Sequence, residues 1–371
     1  MYNFLNKISP DHFEAICALA QMEMLEAGYA GVVEFHYLHN DFSGIRYRNI
    51  SEMSQRVINA SNKSGIGLTL LPVLYEQSGV KGGNLISGQD RFGLKLCEFN
   101  KLIEEVISLE NKKGDFHIGV AAHSLRAVKK TSLKELSKNF LNYPTHIHVA
   151  EQMKEVSEIY NMWSKRPIEW MVENLDLNEK WCLIHCTQMH DYEAKLLAKS
   201  GAVIGLCPIT EANLGDGIFN GRNWLKEGGK FGIGTDSNVK ISLFEELRTL
   251  EYSQRLKYKS RIVLKTANKY TIGRSLIESV LEGGMLASGR KTGKIQKGYW
   301  ADILALDLTS FDYFDLNDNE KLDYLIFSEK DVVIDTVFSA GRLLVKNGKH
   351  INKKKIITNY KLALHEILKK L

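Results

Sequence analysis

Short apolar runs of strand length alternate along the chain with longer amphipathic stretches of helical length. The apolar runs contain few polar positions, which is typical of parallel strands that are buried on both faces. Seven such runs lie at 31–37, 65–75, 117–122, 145–150, 181–186, 202–206 and 231–235. Seven strand–helix units in series predict an α/β fold with a parallel sheet wrapped by helices.

The number of units indicates which parallel sheet this is. A closed (β/α)8 barrel of the TIM-barrel type needs eight strands, so seven predict such a barrel with one strand missing. A doubly wound open sheet is the weaker alternative. It usually places a glycine-rich phosphate turn after its first strand, and no Gly-x-Gly-x-x-Gly occurs in the 371 residues.

The residue pattern changes near Lys291, where turn residues begin to alternate with short strand-like segments. We therefore predict three parts: the barrel at 1–285, a small β-sandwich part at 286–352 and a C-terminal amphipathic helix at 353–371. The last part has Leu362, Ile367 and Leu371 on one side of the predicted helix.

Composition narrows the class of protein. With 44% hydrophobic residues the chain can bury a sizeable core. Much of its formal charge of +5 comes from a lysine cluster in the tail, and this cluster lacks interleaved aromatic residues. We therefore expect no nucleic-acid partner. The five cysteines form no Cys-x-x-Cys, and there is no signal peptide or bilayer-length apolar run, so we expect a reduced, cytoplasmic protein without a membrane partner.

Candidate chemistry lies where the predicted strands end. Histidine or aspartate occupies five of these ends, namely His36, His123, His148, His185 and Asp236. A lone histidine at a strand end is more often a satisfied core residue, but chance would not collect five such residues at the same end of successive strands. Ligands that project from neighbouring strand ends into one cavity are the layout of a metal-assisted hydrolase.

Three further residues fit hydrolysis of a C–N bond. Glu151 follows His148 by three residues, close enough to take a proton from an activated water and pass it to a leaving nitrogen. Arg126 follows His123 by three residues and is a candidate clamp for a carboxylate, and Tyr37 follows His36 and adds a hydroxyl. Each has a plain alternative, a helix-capping glutamate for Glu151 and loop or surface residues for the others.

These segments resemble the formimidoylglutamate deiminase branch of the amidohydrolase superfamily. The resemblance covers essentially the whole chain, and the run from Thr210 to Gly217 is its most specific part. The matching segments include Glu34–His39, Leu70–Tyr75, His123–Val128, His146–Gln152, Trp181–His185, Gly205–Phe219 and Gly232–Ser237.

The resemblance implies a zinc-dependent hydrolase of histidine degradation. Such an enzyme adds water to the formimino carbon of N-formimino-L-glutamate and releases ammonia and N-formyl-L-glutamate. By the resemblance, one zinc ion per chain has His148 and Asp236 among its ligands, and Glu151 and His185 are catalytic. Substrate-binding residues, which hold the glutamate moiety, are Arg126, His123 and Tyr37. A homodimer is also implied.

The start of the chain departs from the family pattern. Family members begin with strands of the small β-domain and a first barrel strand that ends in His-x-His, which supplies two zinc ligands. We expect these elements, about 60–90 residues, to be missing, and the start to be either truncated or misassigned. A catalytic zinc site normally uses three protein ligands, so we expect little or no deiminase activity from the chain as printed.

Two rival functions stay open at this stage. A deaminase for a purine- or pyrimidine-like substrate needs no carboxylate clamp, so its activity is indifferent to Arg126→Ala. A non-catalytic remnant that acts in binding or subunit association binds no metal and has no dependence on Glu151.

Overall fold

The computed structural model describes residues 2–86, 88–110, 115–266, 269–309, 313, 315–328 and 334–370, with the side chains of residues 2 and 3 left aside. The chain divides into two compact units. Unit 1 comprises Met1–Thr145, Trp300–Leu304 and Thr336–Leu371, and unit 2 comprises His146–Tyr299 and Ala305–Asp335. No described helix is long and apolar enough to cross a membrane.

Unit 1 begins with alternating helices and parallel strands. Strand β2 is buried along its whole length and pairs in parallel with β1, β3 and β4. The elements are α1 (Tyr2–Leu5), α2 (Pro10–Glu26), β1 (Gly31–His36), α3 (Glu52–Ser64), β2 (Gly67–Leu74), α4 (Leu96–Glu110), β3 (Phe116–Ile118), β4 (Val120–Ser124) and α5 (Lys130–Asn139).

A four-stranded antiparallel sheet and a final helix complete unit 1. The sheet has the order β12-β11-β10-β9, with β9 (Ile303–Leu306), β10 (Ile334–Ser339), β11 (Arg342–Lys346) and β12 (Lys349–His350). The Ser339 hydroxyl accepts from the Gly67 N–H at 2.9 Å and donates to the Ala30 carbonyl at 2.7 Å, so it fastens this sheet to the parallel strands. Helix α14 (Lys353–Leu368) packs on α2, where Glu366 contacts His12 at 2.9 Å.

Unit 2 continues the strand–helix alternation. Its parallel strands have the order β5-β6-β7-β8, and Gly205 of β7 lies opposite Gly232 of β8. The elements are β5 (Thr145–Val149), α6 (Met153–Trp163), α7 (Pro167–Asn174), β6 (Trp181–His185), α8 (Asp191–Ala198), β7 (Val203–Leu206), α9 (Pro208–Leu214), α10 (Gly221–Lys226), β8 (Lys230–Ile233), α11 (Leu243–Tyr258), α12 (Ile272–Ser288) and α13 (Asp318–Phe327).

All seven predicted strands are present, so the α/β class and the predicted parallel strand–helix units are confirmed. The third was wrong in detail, because Gly119 interrupts it and separates β3 from β4. A Cβ at Gly119 would lie 2.5 Å from both the Leu71 side chain and the Pro144 carbonyl oxygen, so the backbone passes too close to its neighbours for a regular strand with side chains.

Two features of the helices go beyond what the sequence pattern indicates. The helical stretch that follows β5 is divided into α6 and α7, because Ser164 adopts a left-handed φ of 53° and Pro167, which cannot donate a helical N–H, begins α7. Leu362 is 60% exposed, so the buried side of α14 is formed by Ile356, Ala363 and Ile367 instead. The side chain of Leu371 lies outside the described residues, and the predicted domain limits stay predictions.

Candidate active site

The strand ends of unit 2 bring most of the predicted site residues together. His148 lies near the end of β5, and Glu151 follows two residues after that strand. His185 is the last residue of β6, and Asp236 follows β8 by three residues. Because these strands are parallel and ordered β5-β6-β7-β8, their carboxyl ends lie at one edge of the sheet.

His185 is the centre of this cluster. Its side chain is 1% exposed, and its Nε2 atom lies 4.0 Å from Glu151 Oε1 and 3.9 Å from Asp236 Oδ2. On the opposite side of the ring, Nδ1 lies 3.1 Å from Glu211 Oε1. The His148 ring stacks on the His185 ring with 5.5 Å between centroids. One buried imidazole therefore contacts or faces three carboxyl groups and a second imidazole.

The backbone at these strand ends adopts an unusual conformation. Left-handed φ values occur at Ala150 (51°), His185 (71°), Cys186 (48°) and Asp236 (41°), none of which is glycine. Such residues cost free energy and persist only where the surrounding structure fixes them, and they cluster at functional sites. Their recurrence at three strand ends supports a shared functional cause.

Within this cluster, burial and neighbouring charges shift the pKa of each group in opposite directions. Burial alone would lower the pKa of His185, but the hydrogen bond and charge of Glu211, with the charges of Glu151 and Asp236, raise it above its usual value. Burial raises the pKa of Asp236, and the nearby His185 partly offsets that rise. The pKa values of the imidazole and of the Asp236 carboxyl group are thus both raised within one cluster, a feature typical of sites that transfer protons.

The turn that carries Glu151 is fixed through its backbone. The Glu155 carboxylate accepts from the N–H groups of Ala150 and Glu151, each at 3.1 Å. The Gln188 amide donates to the Glu151 carbonyl at 3.1 Å and also to the carbonyl of Asp216. These bonds leave little freedom in the main chain at Glu151, which suits a group that must meet a substrate in one geometry.

His146 has the role expected of a hydrogen-bonded core histidine. It is 4% exposed, and its Nε2 lies 2.8 Å from the Ala287 carbonyl oxygen. Burial lowers the pKa of His146 to about 4. A neutral ring that donates to a main-chain carbonyl anchors β5 to the end of α12.

Unit 1 contains the predicted substrate-binding residues. The His123 ring packs edge-on against Tyr37, with centroids 5.6 Å apart, and against Tyr75, with centroids 4.7 Å apart. Burial, with the charge of Arg126 as a second cause, lowers the pKa of His123 to about 3, so this histidine is neutral. The Arg126 Nε atom is buried without a hydrogen-bond partner among the described residues, which leaves it able to bind an anion.

His36 does not join these residues through any described hydrogen bond. It is 2% exposed, and neither ring nitrogen has a partner within the described part of the chain. Its ring packs instead against His39 and Phe13, with centroid separations of 5.1 and 5.7 Å. The described ring contacts of His36 are therefore with His39 and Phe13, neither of which was a predicted site residue.

The predicted metal ligands do not form a complete metal site on their own. Among the residues that the structure describes, no group of three His, Cys, Asp or Glu side chains is arranged to hold a metal ion. His148 and Asp236 supply two donors, whereas catalytic zinc normally has three protein ligands. The donor set in the described ranges thus falls short of a catalytic zinc centre.

Sequence reasoning missed Glu211, which contacts His185 directly. The available signal was its position in the first turn of a helix that begins at Pro208, directly after a buried strand. An acidic residue at this position has access to the same sheet edge as the strand-end histidines. Its burial and its partner, however, depend on the packing of β6 beside β7.

Residues 1–344 match the sequence model of the amidohydrolase family. Formimidoylglutamate deiminase from Pseudomonas aeruginosa is 38% identical over 369 residues, which is 99% of this chain and 81% of that protein. This similarity spans both units.

Solved structures of similar fold agree with this comparison. A crystal structure of an amidohydrolase from Brucella melitensis superposes with a TM-score of 0.94 at 42% identity, covering 99% of this chain and 81% of that one. An adenosine deaminase from Xanthomonas campestris, described with bound zinc, has a TM-score of 0.79 at 19% identity and covers 98% of this chain and 76% of that one. At that identity the second likeness concerns the fold alone.

Proposed function

Because the chain belongs to the amidohydrolase family, we propose that it catalyses hydrolytic deimination of N-formimino-L-glutamate in histidine degradation. Water adds to the formimino carbon, the C–N bond to the terminal nitrogen breaks, and the products are N-formyl-L-glutamate and ammonia. The observation that carries the proposal is the buried His185, which faces Glu151 and Asp236. The relative from Pseudomonas aeruginosa bears the name of this activity.

In this proposal Glu151 moves the proton. As a carboxylate it accepts a proton from the attacking water and passes it to the terminal nitrogen. When the C–N bond breaks and the C=O bond forms, the remaining hydroxyl proton follows the same route, so the nitrogen leaves as ammonia. Its anchored backbone supports that role, because a proton-transfer group needs hydrogen-bond reach to both atoms in turn. His185 orients the attacking water or the tetrahedral intermediate through Nε2.

Three residues of unit 1 are proposed to bind the glutamate part of the substrate. Arg126 suits a carboxylate, since a guanidinium offers parallel N–H donors that match its two oxygens. His123 is neutral and can donate one hydrogen bond without adding charge. Tyr37, whose ring is held against His123, offers a hydroxyl.

The proposed cofactor is zinc, with His148 and Asp236 as ligands. When bound, zinc polarises water and lowers its pKa. Because the described residues supply fewer than three donors, the proton movements above are assigned to this chain's own groups, and we expect turnover below the ordinary enzyme range of about 1–1000 per second. We further propose a cytoplasmic homodimer, which sedimentation and cell fractionation test.

A substrate comparison tests the proposed function. The purified 371-residue chain, supplied with zinc, is assayed for ammonia release from N-formimino-L-glutamate, from formamidine, which lacks the glutamate part, and from adenosine. We expect release from the first substrate and far less from the other two. Release from adenosine in preference to N-formimino-L-glutamate, or release from no substrate, would overturn the proposal.

A further inference from the structure

A buried carboxylate holds the side of His185 that faces away from the proposed reaction. Glu211 is 5% exposed, and its Oε1 atom lies 3.1 Å from His185 Nδ1. The same oxygen accepts the Cys207 N–H at 2.9 Å. Glu211 is thus fixed to the backbone of its own turn, and it presents a fixed acceptor to the imidazole.

This contact determines which ring nitrogen carries hydrogen. The oxygen that contacts Nδ1 also accepts the Cys207 N–H, and a carboxylate oxygen that accepts from both groups requires Nδ1 of His185 to be the donor. In the neutral ring Nε2 then has a lone pair, and it points toward Glu151 and Asp236 at 4.0 and 3.9 Å. Without Glu211 the ring could exchange its tautomer or rotate, and Nε2 would lose its defined role.

We propose that Glu211 is a positioning residue, which fixes the tautomer and orientation of His185 so that Nε2 is presented to the reacting atoms. The kinetic part of this inference rests on the proposed function, whereas the tautomer assignment does not. Carboxylates that orient a working imidazole through Nδ1 recur in unrelated enzymes, and removal of such a partner of a metal-ligating histidine typically costs about 10- to 100-fold in affinity or activity.

A plainer role for Glu211 must be separated from this one. Because its carboxylate accepts the Cys207 N–H at the start of α9, it also acts as a helix cap, and any substitution is expected to lower stability. A cap alone has no effect on the protonation site of His185. The deciding measurement is therefore spectroscopic, and stability is measured beside it.

The chain offers a matched control in Glu246. This carboxylate is also fully buried and also accepts a main-chain N–H of α9, from Ile209 at 2.8 Å, but it has no hydrogen bond to His185 among the described contacts. Glu246→Gln removes a buried carboxyl group from the same neighbourhood. It is expected to leave the tautomer of His185 unchanged.

The experiment records nitrogen-15 spectra of histidine-labelled protein at alkaline pH, where the ring is neutral, with His185 assigned by loss of its signals in His185→Asn. We expect protonated Nδ1 in the wild type, Glu246→Gln and Glu211→Gln, since Gln keeps an acceptor oxygen. In Glu211→Ala we expect a substantial Nε2–H population. If Glu211→Ala does not fold, Glu211→Ser takes its place, because the serine side chain is too short to reach the ring.

The kinetic comparison uses the same variants. Glu211→Ala is expected to lower kcat/KM about 10- to 100-fold, mainly through kcat, and Glu211→Gln is expected to restore part of the loss. A wild-type ring protonated on Nε2, or Nδ1–H retained in full in Glu211→Ala, would overturn the inference. Absence of ammonia release from N-formimino-L-glutamate would instead overturn the proposed function and leave the tautomer result standing.

Discussion

The Nδ1 atom of His185 lies 3.1 Å from a carboxylate oxygen of Glu211, while Nε2 of the same ring faces Glu151. The two sides of one buried ring therefore differ in function. One side is tied to the turn after β7, and the other is directed at the group proposed to transfer the proton. The arrangement gives the site a defined geometry before any substrate binds.

Arg126 provides a test of substrate class. Arg126→Ala removes the proposed carboxylate clamp, so KM for N-formimino-L-glutamate is expected to rise about 10- to 100-fold with a smaller change in kcat. Arg126→Lys keeps the charge but not the forked geometry, so its KM is expected to lie between the KM of wild type and that of Arg126→Ala. Exposed Arg48 supplies the control Arg48→Ala. An unchanged KM in Arg126→Ala would favour a substrate without a carboxylate.

A pair of adjacent glycines in α12 tests the packing of this helix on β8. A Cβ at Gly283 would lie 1.9 Å from the Phe231 carbonyl oxygen, whereas a Cβ at Gly284 meets nothing within 4 Å. Gly283→Ala is expected to lower the free energy of unfolding by about 3 kcal/mol or more, and Gly284→Ala to raise it by about 0.5–1 kcal/mol. Urea unfolding measures both, and equal effects would contradict this packing.

Glu246 makes stability depend on pH. Burial, which is the largest cause, raises the pKa of Glu246 to about 8, so this carboxyl group binds a proton in the folded state at pH values where the unfolded chain has lost it. Its contribution to stability is therefore present at low pH and is lost as the pH rises from the unfolded pKa through about 8.

The variant Glu246→Gln removes this ionisation. Its unfolding free energy relative to wild type is expected to increase by roughly 1–3 kcal/mol between pH ~5 and pH ~9. Thermal unfolding across this range measures the difference, and Glu158→Gln, at a partly exposed carboxylate, is the control. A difference that stays constant with pH would mean that Glu246 titrates normally.

Zinc retention tests the metal donor set. Since His148 and Asp236 are the two proposed ligands and the described residues supply no third member, zinc is expected to be held weakly. After dialysis against a mild chelator, elemental analysis is expected to find well below one zinc per chain. A full equivalent of zinc that survives this dialysis, and that is lost in His148→Ala, would contradict this expectation.

The sequence was most informative where short-range pattern alone determines structure. The buried runs predicted β5, β6 and β8, and the recurrence of polar residues at their ends located His148, His185 and Asp236 at one sheet edge. These predictions succeeded because parallel strands place equivalent ends together, whatever their detailed packing.

The features that were missed depend on tertiary packing. Helix α12 contains Gly283 and Gly284, which weaken a helical pattern, and the reason for Gly283 is the close approach of β8. The role of Glu211 depends on the neighbouring strand that carries His185. His36 has the same sequence pattern as the site histidines, but its ring packs against Phe13 and His39 and makes no hydrogen bond within the described residues.

The most direct test of the central claim is ammonia release from N-formimino-L-glutamate by wild type, Glu151→Gln and the partly exposed control Glu158→Gln. Gln at position 151 keeps the size of the side chain but cannot accept and return a proton. We predict measurable release by wild type and Glu158→Gln, and a loss of about 100-fold or more in Glu151→Gln. Release by Glu151→Gln at the wild-type rate would contradict the account.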